Sequence, residues 1–184
     1  GLEVWNGTSW VAYDGTSTVM PANGELHVRV STVAEQDGTY EGGETFKLRA
    51  AYTGGASRSV VGTATIVDDG TGTKYGPGPN DTSTSSLDDD RSLSVGDLTV
   101  NEASNYAVFT VNGTAGLSVS LALEGASGGS GIADLRSGGT LPGLEVWNGT
   151  SWVAYDGTST VMPANGELHV RVSTVAEQDG TYEG

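Results

Sequence analysis

Acidic residues are concentrated in three short segments of this sequence, and their spacing suits the binding of a metal ion. Four carboxylates fall within the ten residues EQDGTYEGGE, from Glu35 to Glu44. The pair Asp68-Asp69 precedes a glycine, and three aspartates occupy 88–90. Neighbouring carboxylates repel one another unless a cation neutralises them, and Ca²⁺ takes roughly six to eight oxygen ligands from flexible acidic loops. The segments predict calcium sites, with solvated acidic loops as the alternative.

The overall charge limits the partners of the chain. Its 184 residues contain 23 acidic and 8 basic side chains, for a net charge of −15. Such a chain repels nucleic acid and anionic membrane surfaces, so we expect neither as a partner. No apolar run approaches the roughly 18 residues of a membrane span, which predicts no membrane insertion. Cysteine is absent, so disulfides and thiolate metal sites are excluded.

The sequence offers no arrangement of residues typical of an enzyme. His27 and its copy His169 each stand alone on the polar side of an alternating segment, where a surface role is expected. No Ser-His-Asp arrangement is visible. Glu41 and Glu44 resemble a glycosidase pair in type, but two residues of one loop do not flank a sugar from opposite sides. We therefore expect a protein without enzymatic activity.

Many short β-strands are needed to place the acidic segments. The chain has 29 glycines and only two phenylalanines, and apolar residues alternate with polar ones at 26–30 and 45–50, the period of a half-buried strand. Asn6-Gly7 lies between apolar stretches, which is a strong signal for a β-hairpin. These patterns predict an all-β fold, an antiparallel immunoglobulin-like β-sandwich with about seven strands per repeat.

A long internal repeat determines the domain organisation. Residues 143–184 are identical to residues 1–42, at an offset of 142 positions, which predicts a tandem array with that period. The segment 73–92 is rich in glycine, proline and serine and is interpreted as a linker. Residues 1–72 are then the C-terminal part of one repeat and 93–184 the N-terminal part of the next. Folding as a circular permutant, swapping between molecules and excision from a longer array all remain open.

Three segments of the sequence resemble the Calx-beta motif: Val100-Asn101-Glu102, the run EGGETFKL from Glu41, and IVDDG from Ile66. The resemblance is closer still to the Calx-beta-like tandem repeats of giant bacterial adhesins exported by type I secretion. It implies a Calx-beta-like sandwich with Ca²⁺ at one end. The ligands that it implies are Asp37, Glu41, Glu44, Asp68, Asp69, Glu102 and Asp134, with Asp179 and Glu183 in the second copy. Gln36 and Gly70 stand where acidic residues are common in the family.

Together the acidic segments and the resemblance predict a structural protein. The expected function is that of a calcium-stabilised extender (stalk) repeat in a bacterial extracellular or cell-surface adhesin. Its expected partners are neighbouring repeats of the same protein. Two alternatives stay open: a filament subunit that assembles head to tail by swapping between incomplete repeats, and a glycan-binding module that uses Trp5, Trp10 and Tyr13.

Overall fold

The computed structural model describes residues 1–129 and 132–178 of the chain. Antiparallel strands make up almost all of its regular structure, with short 3-10 turns at Val33–Glu35 and Val175–Glu177. The prediction of an all-β fold is therefore confirmed. The chain divides into two compact units, 1–91 and 92–184. Within the described part, no helix has the length and apolar character needed to cross a membrane.

The first unit opens with a small sheet. Strands β1 (Leu2–Trp5), β2 (Trp10–Ala12) and β3 (Val28–Val30) form an antiparallel sheet in the order β2-β1-β3. The β1–β2 connection is a tight turn in which the side-chain oxygen of Asn6 accepts the backbone N–H groups of Thr8 and Ser9, at 3.0 and 2.9 Å. Gly7 has φ +102°, a conformation that glycine adopts without steric cost. The hairpin predicted at Asn6-Gly7 is confirmed.

A long hairpin follows in the same unit. Strands β4 (Glu44–Ala51) and β5 (Ser59–Ile66) pair along their whole length, from Glu44 opposite Ile66 to Ala51 opposite Ser59. Beyond it, β6 (Lys74–Tyr75) pairs with β7 (Thr82–Ser83). Backbone hydrogen bonds then join residues 68–70 to 88–90, with Gly70 N–H donating to Asp88 O at 2.8 Å and Asp90 N–H to Asp68 O at 2.9 Å. Within the segment 73–92 that is interpreted as a linker, these contacts lie in the first unit, whereas Ser92 hydrogen-bonds to Thr114 of the second.

The second unit is built around one larger sheet. Its five antiparallel strands lie in the order β14-β13-β16-β9-β8, and two-stranded sheets β10-β15 and β11-β12 accompany it. In chain order the strands are β8 (Leu93–Val95), β9 (Tyr106–Gly113), β10 (Ser118–Val119), β11 (Ser127–Gly129), β12 (Ile132–Asp134), β13 (Glu145–Trp147), β14 (Trp152–Ala154), β15 (Thr160–Val161) and β16 (Glu167–Ser173). The central pair, β9 and β16, is in register from Asn112 opposite Glu167 to Tyr106 opposite Ser173.

The hydrophobic core lies in the second unit. Alternate residues of β16 face inward, so that Leu168, Val170 and Val172 are only 2, 4 and 2% exposed. Val111 of β9 packs with the first two, and Ala107 of the same strand packs with Val172. No residue of 1–91 is comparably buried. The first unit consequently holds its strands together by backbone pairing with little apolar cover.

Candidate metal centre

Three of the acidic side chains converge in the first unit. Glu35 lies on the 3-10 turn after β3, Glu41 on the following loop, and Glu44 at the first position of β4. One carboxylate oxygen from each lies within 4.8 Å of the other two. The pairing of Glu44 with Ile66 fixes the start of β4 beside the end of β5. Carboxylates from separate backbone segments at this distance are within the reach of a single cation.

Asp68 joins this group from the end of β5. Its Oδ2 atom accepts the backbone N–H of Glu41 at 2.6 Å, which holds the acidic loop against the strand end. Its Oδ1 atom is buried and has no hydrogen-bond partner among the described residues, and the same is true of Asp90 Oδ2. Buried oxygens are nearly always paired in folded proteins. Two unpaired carboxylate oxygens beside an acidic cluster are acceptors that a cation would satisfy.

The charges of these segments act on one another. The Glu35 carboxyl, through a shared hydrogen bond and its charge, raises the pKa of Glu44, and burial, Asp68 and Asp37 raise it further. Burial raises the pKa of Asp90, with contributions from Asp88, Asp68, Asp37 and Asp89. A raised carboxyl pKa means that the folded state disfavours the ionised form. A bound cation would remove that penalty.

Two neighbouring aspartates have partners of their own. Asp69 accepts hydrogen bonds from the N–H and hydroxyl of Thr71, and the hydroxyl bond is the main cause of its lowered pKa. Asp89 forms a two-point pair with Arg91, at 2.8 Å for each contact, which lowers the pKa of Asp89 to about 2. Arg91 thus compensates the charge of Asp89, and Thr71 already donates two hydrogen bonds to Oδ1 of Asp69. Asp69 is therefore a weaker candidate ligand than Asp68.

The remaining predicted ligands lie in the second unit or outside the described residues. Asp134 is held by Arg136 at 2.8 and 2.7 Å, and this contact lowers the pKa of Asp134 to about 2. Glu102 lies at the edge of an apolar groove. Asp179 and Glu183 lie outside the described residues. The structure therefore brings together Glu41, Glu44 and Asp68, with Asp37 close enough to affect the Glu44 carboxyl electrostatically.

Two residues of the centre were absent from the predicted ligand set. Glu35 begins the acidic run, and only the 3-10 turn places it next to Glu44. The acidic run itself was the available signal for Glu35. Asp90 reaches the cluster because 88–90 pairs with 68–70 through backbone hydrogen bonds. No local sequence pattern specifies that long-range pairing.

The tryptophans of the first copy are engaged within the protein. Trp5 and Trp10 meet edge to face, with ring centroids 5.3 Å apart. The Trp10 indole N–H donates to Pro77 O at 2.7 Å, and the Arg29 guanidinium lies 4.6 Å from the Trp10 ring centroid. These contacts stabilise the sheet of β1–β3. The glycan-binding alternative remains a prediction.

No family model, curated protein or solved structure matches this chain. The carboxylate geometry, the charge and the repeat are therefore the features of this chain that bear on its function.

Proposed function

We propose that this chain is a calcium-stabilised structural repeat, an extender of a bacterial extracellular or cell-surface adhesin, with no enzymatic role. The observation that carries the proposal is the convergence of Glu35, Glu41 and Glu44 within 4.8 Å. The unpaired oxygen of Asp68 lies on the carboxylate that holds the Glu41 backbone. This combination supports a site for a hard cation with oxygen ligands.

A calcium ion at this centre would act as a crosslink. Its ligands would come from the 3-10 turn, the acidic loop and the end of β5, which are separated in sequence and make few apolar contacts. The ion would favour the ionised carboxylates, which the Glu35 carboxyl disfavours at Glu44 and burial disfavours at Asp90, the main causes of their raised pKa values. An extracellular protein without disulfides needs another way to hold its loops, and bound calcium is one such way. Calcium is thus proposed to stiffen the part of the chain that has the least hydrophobic cover.

We assign to each complete repeat an immunoglobulin-like, Calx-beta-like sandwich. The five-stranded antiparallel sheet of the second unit, with one face in the core, supports this assignment. The segments that resemble the Calx-beta motif at 41–48 and 66–70 contribute Glu41, Glu44 and Asp68 to the candidate metal centre.

The extender role is supported by the repeat and the charge. An identical 42-residue segment recurs after 142 positions, as in arrays whose units serve as spacers. A net charge of −15 favours an extended, soluble array and attracts divalent cations. The partners in this proposal are neighbouring repeats.

Calcium-dependent stability tests the proposal directly. Melting curves of the chain are recorded in millimolar calcium and in chelator, and we expect calcium to raise the Tm of the first unit. The double variant Glu41→Gln/Glu44→Gln should abolish that rise. Glu25→Gln, which removes one charge from the same unit outside the cluster, should leave the rise intact. Equal melting curves with calcium and with chelator would contradict the proposal.

A further inference from the structure

Residues 70–88 form a closed loop that follows β5 in the first unit. Two backbone hydrogen bonds close its base. The Gly70 N–H donates to Asp88 O at 2.8 Å, and the Asp90 N–H donates to Asp68 O at 2.9 Å. An isolated antiparallel bridge lies between these two bonds. The loop therefore leaves the end of β5 and returns to it.

Little apart from its base holds the loop closed. None of residues 70–88, all of which are described, belongs to a hydrophobic core cluster. Within the loop, β6 and β7 pair over only two residues each. At the far end, the Trp10 indole N–H donates to Pro77 O at 2.7 Å and fastens the loop to the sheet of β1–β3. Opening of the loop consequently exposes little apolar surface.

The base has a strong excess of negative charge. Its two backbone segments, 68–70 and 88–90, contain five aspartates and no basic residue. Arg91 pairs with Asp89 at 2.8 Å and compensates one of these charges. Like charges a few ångströms apart repel one another. The remaining aspartates therefore favour an open base when no cation lies between them.

Two of these aspartates stand on either side of the loop entrance, Asp68 before it and Asp90 after it. Each has a buried oxygen without a hydrogen-bond partner among the described residues, Oδ1 and Oδ2 respectively. Asp68 also holds the backbone of Glu41 in the candidate metal centre. Asp37 acts electrostatically on both Glu44 and Asp90. The candidate metal centre thus adjoins both segments of the base.

We propose that calcium at this centre is a clasp on the loop 70–88, which keeps the base closed through Asp68 and Asp90 and lets it open when the ion leaves. The inference rests on the proposed calcium role and names what that role regulates, the length of chain between β5 and β8. In the closed base, paired residues lie about 5 Å apart. In the open state the same points can separate by roughly 60 Å, because about 20 residues extend at about 3.3 Å each.

The loop is then a store of length in an extender. With calcium bound, the chain between β5 and β8 is short. Without calcium or under tension, the loop lengthens this connection while the paired strands of both units stay intact. The Trp10–Pro77 contact keeps the far end of the loop near its sheet, which favours closure when calcium returns.

Amide hydrogen exchange followed by NMR tests the closure of the base. The reporters are the N–H groups of Gly70 and Asp90, and the amides of β4 and β5 are the references for unfolding of the unit. In chelator the reporters should exchange faster than the references, because the base opens locally while the hairpin stays paired. Calcium at about ten times its Kd should slow the reporters by about tenfold.

Asp90→Asn removes one ligand of the clasp and leaves the other carboxylates of the centre in place. Calcium should still raise the Tm of the first unit, but it should no longer slow the exchange of Gly70. In chelator Gly70 should exchange more slowly in this variant than in the wild type, because the base has lost a repelling charge. Glu25→Gln, at an exposed position of the same unit, is the control and should respond to calcium like the wild type.

Single-molecule stretching by the two chain ends measures the stored length. In calcium the loop should open as a separate step of roughly 60 Å, and in chelator the step should occur at lower force. Duplication of residues 82–86 adds about five residues to the loop and should enlarge the step by roughly 17 Å.

Equal exchange of Gly70 with calcium and with chelator, in a protein whose Tm still rises with calcium, would overturn the clasp and leave the proposed calcium site standing. A wild type whose Tm does not rise would overturn both. Exchange of Gly70 that calcium still slows in Asp90→Asn, or a stretching step that does not grow with the duplicated segment, would also overturn the clasp.

Discussion

Val30 and Val172 occupy the same position in the duplicated sequence, yet Val30 is 36% exposed and Val172 is 2% exposed. Val172 lies on β16, which pairs with β9 on one side and β13 on the other. Val30 lies on β3, which pairs only with β1 in the structure. Identical residues thus acquire different roles because only one of them meets a second strand and the core behind it.

Truncation of these two valines should have unequal effects. Val172→Ala removes two methyl groups from the core, and we expect it to lower the free energy of unfolding of the second unit by about 2 kcal/mol. Val30→Ala should change the first unit by about 0.5 kcal/mol or less. Chemical denaturation followed by circular dichroism measures both. Similar losses in the two variants would show that the copies are packed alike.

The glycines of the two copies give a second matched pair. Gly24 and Gly166 both have positive φ, at +77° and +72°. A Cβ atom on Gly166 would lie 2.9 Å from the backbone oxygen of Gly113, whereas one on Gly24 would meet nothing within 4 Å. We expect Gly24→Ala to cost about 1 kcal/mol for its backbone conformation alone. Gly166→Ala should cost more, about 2–3 kcal/mol, because the carbonyl must also move.

Denaturant unfolding of these alanine variants distinguishes conformational strain from steric overlap. Gly166→Asn serves as the control, since asparagine tolerates positive φ better than alanine but also carries a Cβ atom. It should recover only part of the loss. Full recovery would mean that the overlap with Gly113 has no energetic consequence.

Arg171 should contribute more to stability than its counterpart Arg29. Both form a 2.6 Å contact with a glutamate, Glu145 and Glu3 respectively. Arg171 also stacks on Tyr106, with its guanidinium carbon 4.0 Å from the ring centroid, and β9 of the second unit supplies that tyrosine. We expect Arg171→Ala to lower the Tm of its unit by about 4–8 °C, and Arg29→Ala to produce a smaller decrease. Tyr106→Leu should reduce the difference between the two arginine variants.

The effect of neutralising Glu44 should change sign with calcium. Without calcium, Glu44→Gln should raise the Tm at about pH 7, because it removes the repulsion from Glu35. The folded-state pKa of Glu44 is raised above its ordinary 4.5. Wild-type stability therefore falls as pH rises through the raised pKa, and the advantage of the variant should vanish near about pH 4, where the wild type is protonated.

In calcium the same variant should melt below the wild type, since it loses a ligand. Melting curves at both pH values, with calcium and with chelator, provide the comparison. Glu25→Gln is the control for the loss of one charge from the same unit. A variant that is equally stabilised in calcium and in chelator would show that Glu44 binds no ion.

Much of the fold is readable from local patterns. Alternation at 26–30 and 45–50 predicts strands, and the structure has β3 and β4 there. Asn6-Gly7 predicts the turn between β1 and β2, because both residues accept positive φ. The acidic run from Glu35 to Glu44 identifies one side of the candidate site, since its carboxylates are already close along the chain.

The remainder depends on contacts between distant segments. Asp68 meets the acidic loop through the Glu41 backbone, and Asp90 comes near through the pairing of 88–90 with 68–70. No local pattern specifies these two contacts. Asp69 and Asp134 look like equally good ligands in the sequence, but each is hydrogen-bonded by a residue only two positions further along, Thr71 and Arg136 respectively.

The sequence by itself determined the repeat, the strand-forming segments and the location of charge. Only the tertiary structure decided that β16 is a core strand, while β3, which has the same residues, stays partly exposed. The physical reason is that strand propensity and charge belong to the residue, whereas burial belongs to its neighbours. The two identical stretches therefore have the same strand propensity and charge. They differ in stability because β9 pairs with β16 of the second copy, whereas β3 of the first copy pairs only with β1.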